Sequence, residues 1–257
     1  MQILTLSKVL IWSIALCTVF STYGDNKHEV NIVTEHLEPY QIVLPSGELT
    51  GYTIEIVNEL LALTNTENDI QVMPWARAYN TALTEKNTLI FSMARTPFRE
   101  HKFKWVGSLI IEKLYLWSLN PNLKNHVSDL DAFAPRSIAT ARNTNVEQYL
   151  KQINYPNIRR VVMEEQNMKM LFTRRVDSLV GSEISLKHRA STLGFDINKM
   201  HKVFEIKALE ANLSIAFNKQ TPDTIVNKFR SAYHQLLQSP RYQEIKDKWQ
   251  ISDTTDL

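Results

Sequence analysis

Residues 88–100 read TLIFSMARTPFRE, in which an apolar run leads into a Thr-Pro pair flanked by two arginines, Arg95 and Arg99. The apolar run predicts a strand. Thr96 suits the N-cap of a helix and Pro97 its first position, so a helix is expected to begin there. The stretch therefore predicts a strand followed at once by a helix, as in sheets of mainly parallel strands.

Arg99 falls in the first turn of that predicted helix, where the partial positive charge of the helix end disfavours a cation by about 0.3 to 1 kcal/mol. A bound anion would compensate, because free N–H groups, the Thr96 hydroxyl and the guanidinium would converge on it. A carboxylate matches the bidentate fork of arginine. The alternative is that Arg99 pairs with Glu100 or Glu38. The side chain of Arg95 is expected to point the other way and to form a surface ion pair.

Short apolar runs alternate with helical patterns on both sides of this stretch. Before it come the strand patterns EVNIVT and DIQVMP, each followed by a helix pattern, YTIEIVNELLALT and WARAYNTALTE. This alternation predicts an α/β architecture with a mainly parallel sheet flanked by helices. The alternation restarts near residue 136 with RSIATA, IRRVVM and DSLVGS, each again followed by a helix pattern. A second α/β lobe of similar layout is therefore predicted.

The segments that join and close these two patterns are less decisive. The strand-like stretch EKLYLWSLNP lies between them, and NLSIAFNK, near residue 212, is followed by two helix patterns. The patterns alone leave open whether the last helices extend the second lobe or return to the first.

The first 24 residues are typical of a secretory signal peptide. Lys8 precedes an apolar run of twelve residues, VLIWSIALCTVF, which is shorter than the about 20 residues of a membrane-spanning helix. We expect cleavage after Gly24, with cleavage after Ser21, an uncleaved anchor or a buried first helix as alternatives. The only cysteine, Cys17, lies in this run, so the processed chain is expected to have no disulfide and no thiol chemistry.

Composition and motifs give little support to several other function classes. The formal net charge of +2 is nearly balanced and gives no reason to expect a nucleic-acid partner. The seven histidines are scattered and form no His-Glu-x-x-His motif, so we expect no metal site. The chain has no Gly-x-Ser-x-Gly elbow and no glycine loop for phosphates, and no cofactor is expected.

After residue 29 the chain resembles the bacterial extracellular solute-binding proteins of family 3, which serve amino-acid ABC transporters and related receptors. The similar phrases, in the family's order, are EPYQI, GELTGYTIEIVNELL, MPWARAYNTALTEKN, FSMARTPFREHKFKWVG, DLDAFAPRSIATARNTN, RRVDSLVGS and YQEIKDKW. The resemblance implies the type II periplasmic-binding-protein fold, with two α/β lobes joined by two crossing strands and a ligand in the cleft. Lobe I would then comprise residues 25–115 and 212–257, and lobe II residues 116–211.

The resemblance also implies a ligand site. The Thr-x-x-Arg arginine of amino-acid-binding members clamps the ligand's α-carboxylate, which implies this role for Arg99. Trp75 is expected at the cleft wall, or else in the core, as are Arg77 and Tyr40. The other positions implied as lining the pocket are Ser92, Ala94 and Thr96 in lobe I and Arg142, Asn143, Thr144 and Asn145 in lobe II.

One position departs from the family pattern. Amino-acid-binding members usually carry an Asp after the strand that matches VDSLVGSE, and this Asp pairs with the ligand's ammonium. Here Ser182 takes the acidic place and Glu183 follows it. Either Glu183 replaces the Asp, or the partner is missing and the ligand is not a simple α-amino acid. Glu35 and Glu38 are further candidates for an ammonium partner.

The resemblance implies a monomeric periplasmic protein, not an enzyme, secreted through a cleavable signal peptide. It would close two lobes over an amino acid or related carboxylate and deliver it to an inner-membrane ABC permease. One alternative is a sensory ligand-binding protein that signals without transport. Another is a dehydratase-like enzyme of the same fold, in which Arg99 holds the substrate and Glu183 is the general acid.

Overall fold

The computed structural model describes residues 30–251. The predicted signal peptide and Cys17 lie outside the described residues. Within the described range, no helix combines the length and the apolar character needed to cross a membrane.

The strands and helices of the described chain follow one another in the order that the sequence patterns predict, with several additional elements, of which the ten-residue strand Phe103–Glu112 is the longest. They are β1 (Asn31–Thr34), β2 (Ile42–Val43), β3 (Leu49–Thr50), α1 (Tyr52–Leu63), β4 (Ile70–Val72), α2 (Trp75–Thr84), β5 (Thr88–Ala94), α3 (Pro97–Glu100), β6 (Phe103–Glu112), β7 (Tyr115–Ser118), α4 (Leu130–Phe133), β8 (Ile138–Ala141), α5 (Asn145–Gln152), β9 (Ile158–Val161), α6 (Glu164–Phe172), β10 (Ser178–Gly181), α7 (Glu183–Leu193), β11 (His201–Glu205), β12 (Ala211–Asn218), α8 (Asp223–Leu237) and α9 (Pro240–Lys248).

Two five-stranded sheets organise the chain. The first has the order β4-β1-β5-β12-β6, and the second has the order β11-β7-β10-β8-β9. In the first sheet β1 runs parallel to β4 and β5, while β12 is antiparallel to β5 and β6. In the second sheet β8 is parallel to β9 and β10. The predicted α/β fold with two lobes is confirmed.

The chain crosses between the sheets twice. It leaves the first sheet after Glu112 and enters the second at Tyr115, and it returns between Glu205 and Ala211. We use lobe I for the elements of the first sheet with its flanking helices, and lobe II for those of the second. The crossings do not by themselves fix where each lobe ends, so the limits predicted at residues 115 and 211 stay predictions.

Strand β5, the apolar run of the opening stretch, is buried along its whole length. Leu89 and Phe91 belong to the core cluster that includes α1 and α8, whereas Ile90 and Met93 belong to the cluster that includes α2. A strand covered by helices on both faces needs apolar side chains at successive positions. Because the strand is packed into the core, the place at which the Thr-Pro motif begins is fixed in the fold.

The last two helices pack on lobe I, which resolves the question that the sequence pattern left open. Phe229 of α8 makes an edge-to-face contact with Phe217 of β12, with ring centres 5.1 Å apart. After α9, Trp249 donates from Nε1 to Glu55 of α1 at 2.8 Å, and Lys248 contacts the same carboxylate at 2.6 Å.

Candidate functional site

A cavity of about 80 Å³ lies between the two lobes. One water molecule needs only about 10 to 15 Å³ of such space, so the cavity has room for several atoms of a ligand. It lies where strands β1, β5, β8 and β10 end, which is where open α/β folds bind ligands. Its lining comes from both lobes: Glu35, Leu37, Trp75, Ser92, Ala94, Arg99, Glu112, Leu114, Thr144, Asn145, Val146, Glu164, Val180, Gly181, Ser182, Ser185, Arg189 and Leu213.

Arg99 is the most deeply buried charged side chain of this cavity, with 1% of its surface exposed. Its Nη1 donates to the Ala94 carbonyl at 3.2 Å and its Nη2 to the Asn143 carbonyl at 3.0 Å. The guanidinium carbon lies 5.3 Å from the ring centre of Trp75 and 5.0 Å from that of Tyr79. Its Nε has no hydrogen-bond partner, and among the described residues no carboxylate is within ion-pair distance. Burial lowers the pKa of Arg99 to about 10.

The two carboxylates considered as internal partners of Arg99 are engaged elsewhere. Glu100 binds Arg95, whose Nε and Nη2 donate to it at 2.8 and 2.6 Å. Glu38 accepts from the hydroxyl of Thr192 at 3.0 and 3.1 Å. Arg95 therefore forms the surface ion pair expected of it, and Arg99 stays without an anion among the described residues.

The helix that follows Thr96 is too short to create the helix-end charge expected around Arg99. Helix α3 is a single turn, Pro97–Glu100, and Arg99 lies near its C-terminal end. One turn does not build the aligned peptide dipoles that such a charge needs. Thr96 occupies the N-cap position as predicted, but its hydroxyl makes no capping bond and its buried oxygen has no partner. Thr96 does not line the cavity itself.

Asn143 connects lobe II to the arginine. It adopts a left-handed backbone conformation, φ +62°, which asparagine tolerates better than most residues. Its carbonyl accepts from Trp75 Nε1 at 2.9 Å as well as from Arg99. Its N–H donates to the Glu147 carboxylate at 2.6 Å, which fixes the turn. Asparagine therefore occupies the left-handed position of this loop without a glycine.

The remaining predicted residues of this loop divide into two groups. Thr144 and Asn145 line the cavity at the start of α5. The Thr144 hydroxyl accepts from the Glu147 N–H at 3.2 Å and donates to the Ala141 carbonyl at 2.9 Å, so it caps the helix. The side chain of Arg142 is exposed and does not line the cavity.

In lobe I, the structure brings Trp75, Ser92 and Ala94 to the cavity. Ser92 has φ +55° at an irregularity in the pairing of β5 with β12. Its hydroxyl donates to Thr53 at 3.1 Å and accepts from Gln41. The hydroxyl is therefore committed within lobe I, and the irregular backbone beside it faces the cavity.

Two lobe I residues predicted at the cleft do not line this cavity. The side chain of Arg77 is exposed on α2. Tyr40 is completely buried in the lobe I core. Its hydroxyl lies close to Ser182, Ser185 and Glu112, although it makes no contact with hydrogen-bond geometry.

Ser182 and Glu183 have different environments. Ser182 lines the cavity, caps α7 through Ser185, and donates from Oγ to Glu112 Oε1 at 2.6 Å. Glu183 is absent from the cavity lining, and its side chain is 42% exposed. Its carboxylate lies 2.7 Å from Lys187 and 2.6 Å from Lys202, and hydrogen bonds from these two lysines lower the pKa of Glu183 to about 2.

Three carboxylates line the cavity, of which sequence reasoning raised only Glu35. Glu35 follows β1, Glu112 ends β6 and Glu164 begins α6. Burial raises the pKa of each of these carboxyl groups, and in Glu35 the nearby Glu164 adds to the effect. Arg189 of α7 is the nearby cation, with its Nη1 3.8 Å from Glu164 Oε2.

A helical pattern in the sequence could have identified part of this site. Ser182, Ser185 and Arg189 recur at intervals of three and four, so they share one face of α7, and all three are buried. Buried polar residues are the informative exception in a protein interior, and here they mark the polar cavity. Neither Glu112 nor Glu164 has such a signal, because each lies at the end of an element.

No group of three or more His, Cys, Asp or Glu side chains between residues 30 and 251 is arranged to hold a metal ion. The three cavity glutamates are therefore not a metal site of that kind.

The sequence of residues 30–252 matches the model of the bacterial extracellular solute-binding proteins, family 3. The chain belongs to this family. Its members share the architecture described above, so the resemblance inferred from the seven phrases is confirmed. A search of curated proteins found no match.

Solved structures with the same fold include proteins of several kinds. A histidine kinase sensor domain with similarity to periplasmic binding proteins matches with a TM-score of 0.76 and 13% identity, over 87% of this chain and 96% of that one. An ancestral arginine-binding protein bound to arginine matches with a TM-score of 0.74 and 13% identity, over 87% and 99%. An ancestral amino acid-binding protein, a precursor of cyclohexadienyl dehydratase, matches with a TM-score of 0.69 and 16% identity, over 87% and 96%. Such low identities establish the fold alone.

Proposed function

We propose that this family 3 solute-binding protein captures a small solute that carries a carboxylate, an amino acid or a related acid, and that Arg99 receives the carboxylate. The observation that carries the proposal is the buried guanidinium of Arg99 with no counter-ion among the described residues. An isolated buried charge is costly unless it is paired, so a site that keeps one is suited to an incoming ion of opposite sign.

The guanidinium has donors left for such a ligand. It carries five N–H groups, of which one goes to the Ala94 carbonyl and one to the Asn143 carbonyl. The free Nε–H and the remaining Nη hydrogens suit the paired oxygens of a carboxylate. The ring of Trp75 provides a wall beside them and suits an apolar part of the solute.

Contacts between the two lobes support binding of the solute inside the cleft rather than at the surface of one lobe. Asn143 of lobe II contacts Arg99 and Trp75 of lobe I, and Thr192 of lobe II donates to Glu38 of lobe I. A ligand that touches both lobes stabilises the closed arrangement over the open one. The two crossings between the sheets are where such a hinge would lie.

Membership of the solute-binding family favours transport over the other roles considered above. We propose that the chain is exported to the periplasm through its predicted signal peptide, acts as a monomer, and delivers its solute to an inner-membrane ABC permease. Family membership supports this role. A sensory role is the second candidate, because a histidine kinase sensor domain has the same fold. Deletion of the gene for an ABC permease that pairs with this protein should abolish uptake of the solute only if transport is correct.

The observations at Glu183 argue against the enzyme alternative in the form considered above. A general acid needs a raised pKa and a position within reach of the leaving group. Glu183 has a lowered pKa and pairs with two lysines away from the cavity lining. Glu183 is therefore not the general acid of such an enzyme, and membership of a solute-binding family leads us to propose binding without turnover.

A thermal-shift screen of the purified protein against the twenty amino acids, oligopeptides, polyamines and simple organic acids tests the proposal. A solute at about 100 times its Kd stabilises the folded state by roughly 2.7 kcal/mol. For a chain of this length that corresponds to a rise in Tm of roughly 5 to 11 °C. At least one carboxylate-bearing solute is expected to produce it. A panel in which only polyamines shift the Tm, or in which nothing does, would contradict the proposal.

A further inference from the structure

The charges that line the cavity are not balanced. Arg99 makes no ion pair among the described residues, although the charge of Glu35 acts on it, and the three carboxylates share one further cation, Arg189. If every group were ionised, three negative charges would face two positive ones. Because Arg99 pairs with none of these carboxylates, the charged side chains that line the cavity do not neutralise one another.

Glu112 is the carboxylate whose position is most closely controlled. It is the last residue of β6, at the crossing from lobe I to lobe II. The hydroxyl of Ser182, from lobe II, donates to its Oε1 at 2.6 Å. No Lys, Arg or His of the described chain lies within ion-pair distance of Glu112. A carboxylate has about four acceptor positions, so most of its acceptor capacity is still available.

Two polar side chains of this cavity are nearly fully buried and incompletely bonded. Arg99 is 1% exposed, and its Nε makes no hydrogen bond. Ser185 is 4% exposed, lies one turn after Ser182, and its hydroxyl has no partner with hydrogen-bond geometry. Buried polar groups in native proteins are normally bonded to protein or water. The Ser185 hydroxyl has the Tyr40 hydroxyl beside it, so the Arg99 Nε is the group that points to a molecule in the cavity.

We propose that Glu112, positioned by Ser182, receives an ammonium or guanidinium group of the solute, with Glu35 and Glu164 completing a negative end of the cavity. This rests on the proposed function and names its solute class: a zwitterion or a cationic acid rather than a simple organic acid. The negative charge lies at the end of the crossing strand of lobe I, and Ser182 of lobe II holds it in place.

Whether binding releases or takes up protons distinguishes a solute-binding role of Glu112 from a structural role. The groups near Glu112 are Glu35, Glu164, Arg189, Tyr40, Ser182 and Ser185. Burial raises the pKa of the Glu112 carboxyl in the empty cavity. A cationic group beside it favours the ionised form, so binding releases protons and affinity rises with pH. A solute that is only an anion would do the opposite.

The experiment compares solutes that differ only in the amine, using isothermal titration calorimetry on the purified protein. The pairs are L-alanine with propionate, L-glutamate with glutarate, and L-glutamine with glutaramate. We expect whichever amino acid binds to do so at least about tenfold more tightly than its partner without the amine. Titration in buffers of different ionisation enthalpy should show proton release.

Matched variants then test the role of Glu112 in binding the amine. Glu112→Gln keeps the shape and the acceptor for Ser182, and is expected to weaken amino-acid binding about 10- to 100-fold and to reduce the proton release. Glu183→Gln makes the same change one residue from Ser182 but outside the cavity lining, and should change affinity less than about twofold. Ser182→Asp in the Glu112→Gln background returns a carboxylate while keeping a residue that caps α7, so it should restore binding.

Each outcome bears on one proposal or on both. Equal binding of the solute without the amine, or equal effects of Glu112→Gln and Glu183→Gln, would overturn the role of Glu112 and leave the carboxylate-binding function standing. Absence of binding by every carboxylate-bearing solute of the thermal-shift panel, or binding that is unaffected by Arg99→Lys, would overturn the proposed function and this inference with it.

Discussion

Arg95 and Arg99 lie four residues apart, but only Arg95 has a carboxylate partner among the described residues. Arg95 binds Glu100 at 2.8 and 2.6 Å, and its side chain is 47% exposed. Arg99 is buried between Ala94, Asn143 and two aromatic rings. One motif thus provides an ordinary surface pair and a buried unpaired cation, which form a matched set for mutation.

The first prediction uses that set. Arg99→Lys retains the charge but loses the planar fork, so it should weaken binding of a carboxylate solute at least about tenfold. Arg95→Lys should leave the affinity within about twofold, because exposed ion pairs contribute little. The measurement is the solute-induced rise in Tm of each variant. Equal losses in the two variants would place the carboxylate elsewhere.

The second prediction concerns the empty protein. Replacing a buried ion pair by apolar side chains of similar volume is often neutral or stabilising, by about 1 to 4 kcal/mol, and replacing an unpaired buried charge removes the same kind of desolvation cost. Arg99→Met should therefore leave the free energy of unfolding unchanged or higher in the absence of solute, while abolishing the solute-induced shift. Urea denaturation with and without solute measures both. A loss of stability above about 2 kcal/mol in the empty protein would show that Arg99 is mainly structural.

The third prediction is a pH dependence of stability. The folded-state pKa values of Glu35, Glu112 and Glu164 are raised above the ordinary 4.5. The folded state therefore holds more protons than the unfolded state above that pH, and stability falls as pH rises through the window up to the folded pKa. The lowered pKa values of Glu55 and Glu147 act in the other direction, since their stabilisation is lost only as pH falls below about 4.5.

Urea unfolding of the empty protein between about pH 5 and pH 7 measures this dependence. The free energy of unfolding should decrease with pH, and Glu112→Gln should make the decrease smaller. An increase with pH, or a slope that Glu112→Gln leaves unchanged, would contradict the buried state of these carboxyl groups.

The fourth prediction concerns the backbone of Asn143. Its φ of +62° suits Gly or Asn, whereas a β-branched residue pays about 1 to 2 kcal/mol in that conformation. Asn143→Gly should preserve stability and affinity, because the carbonyl that contacts Arg99 and Trp75 remains. Asn143→Val should lower the free energy of unfolding by about that amount and weaken binding. Thermal melts and calorimetry distinguish the two, and identical behaviour of both variants would contradict the role given to this turn.

Much of the fold was predictable because its periodic elements are strong. The apolar run of β5 predicted a strand, and the structure shows why it is apolar throughout: helices cover both of its faces. Strand β6 was missed because it lies at the edge of the sheet, is only partly buried without a regular alternation, and contains Lys104 and Gly107. Strand β11 was missed for the same reason, since it is an edge strand with one fully buried residue, Val203.

The site was predictable only where one local motif carries it. Arg99, Trp75 and the loop around Thr144 come from short phrases whose place in the fold is fixed by the strand before them. Glu112 and Glu164 enter the cavity from parts of the chain distant from that motif, and only the meeting of the two sheets brings them together. Glu183 was a candidate because of its place in sequence, and the side-chain direction at the start of α7 instead puts its carboxylate beside Lys187 and Lys202.

The most direct measurement is calorimetric titration with two solutes on two proteins. The solutes are the amino acid that gives the largest Tm rise and the amine that remains when its carboxylate is removed. The proteins are the unmodified chain and Arg99→Lys. The carboxylate–Arg99 contact predicts that the unmodified chain binds the amino acid at least about tenfold more tightly than the amine, and that Arg99→Lys largely removes this difference. Equal affinity of the unmodified chain for both solutes, or an undiminished difference in Arg99→Lys, would contradict it.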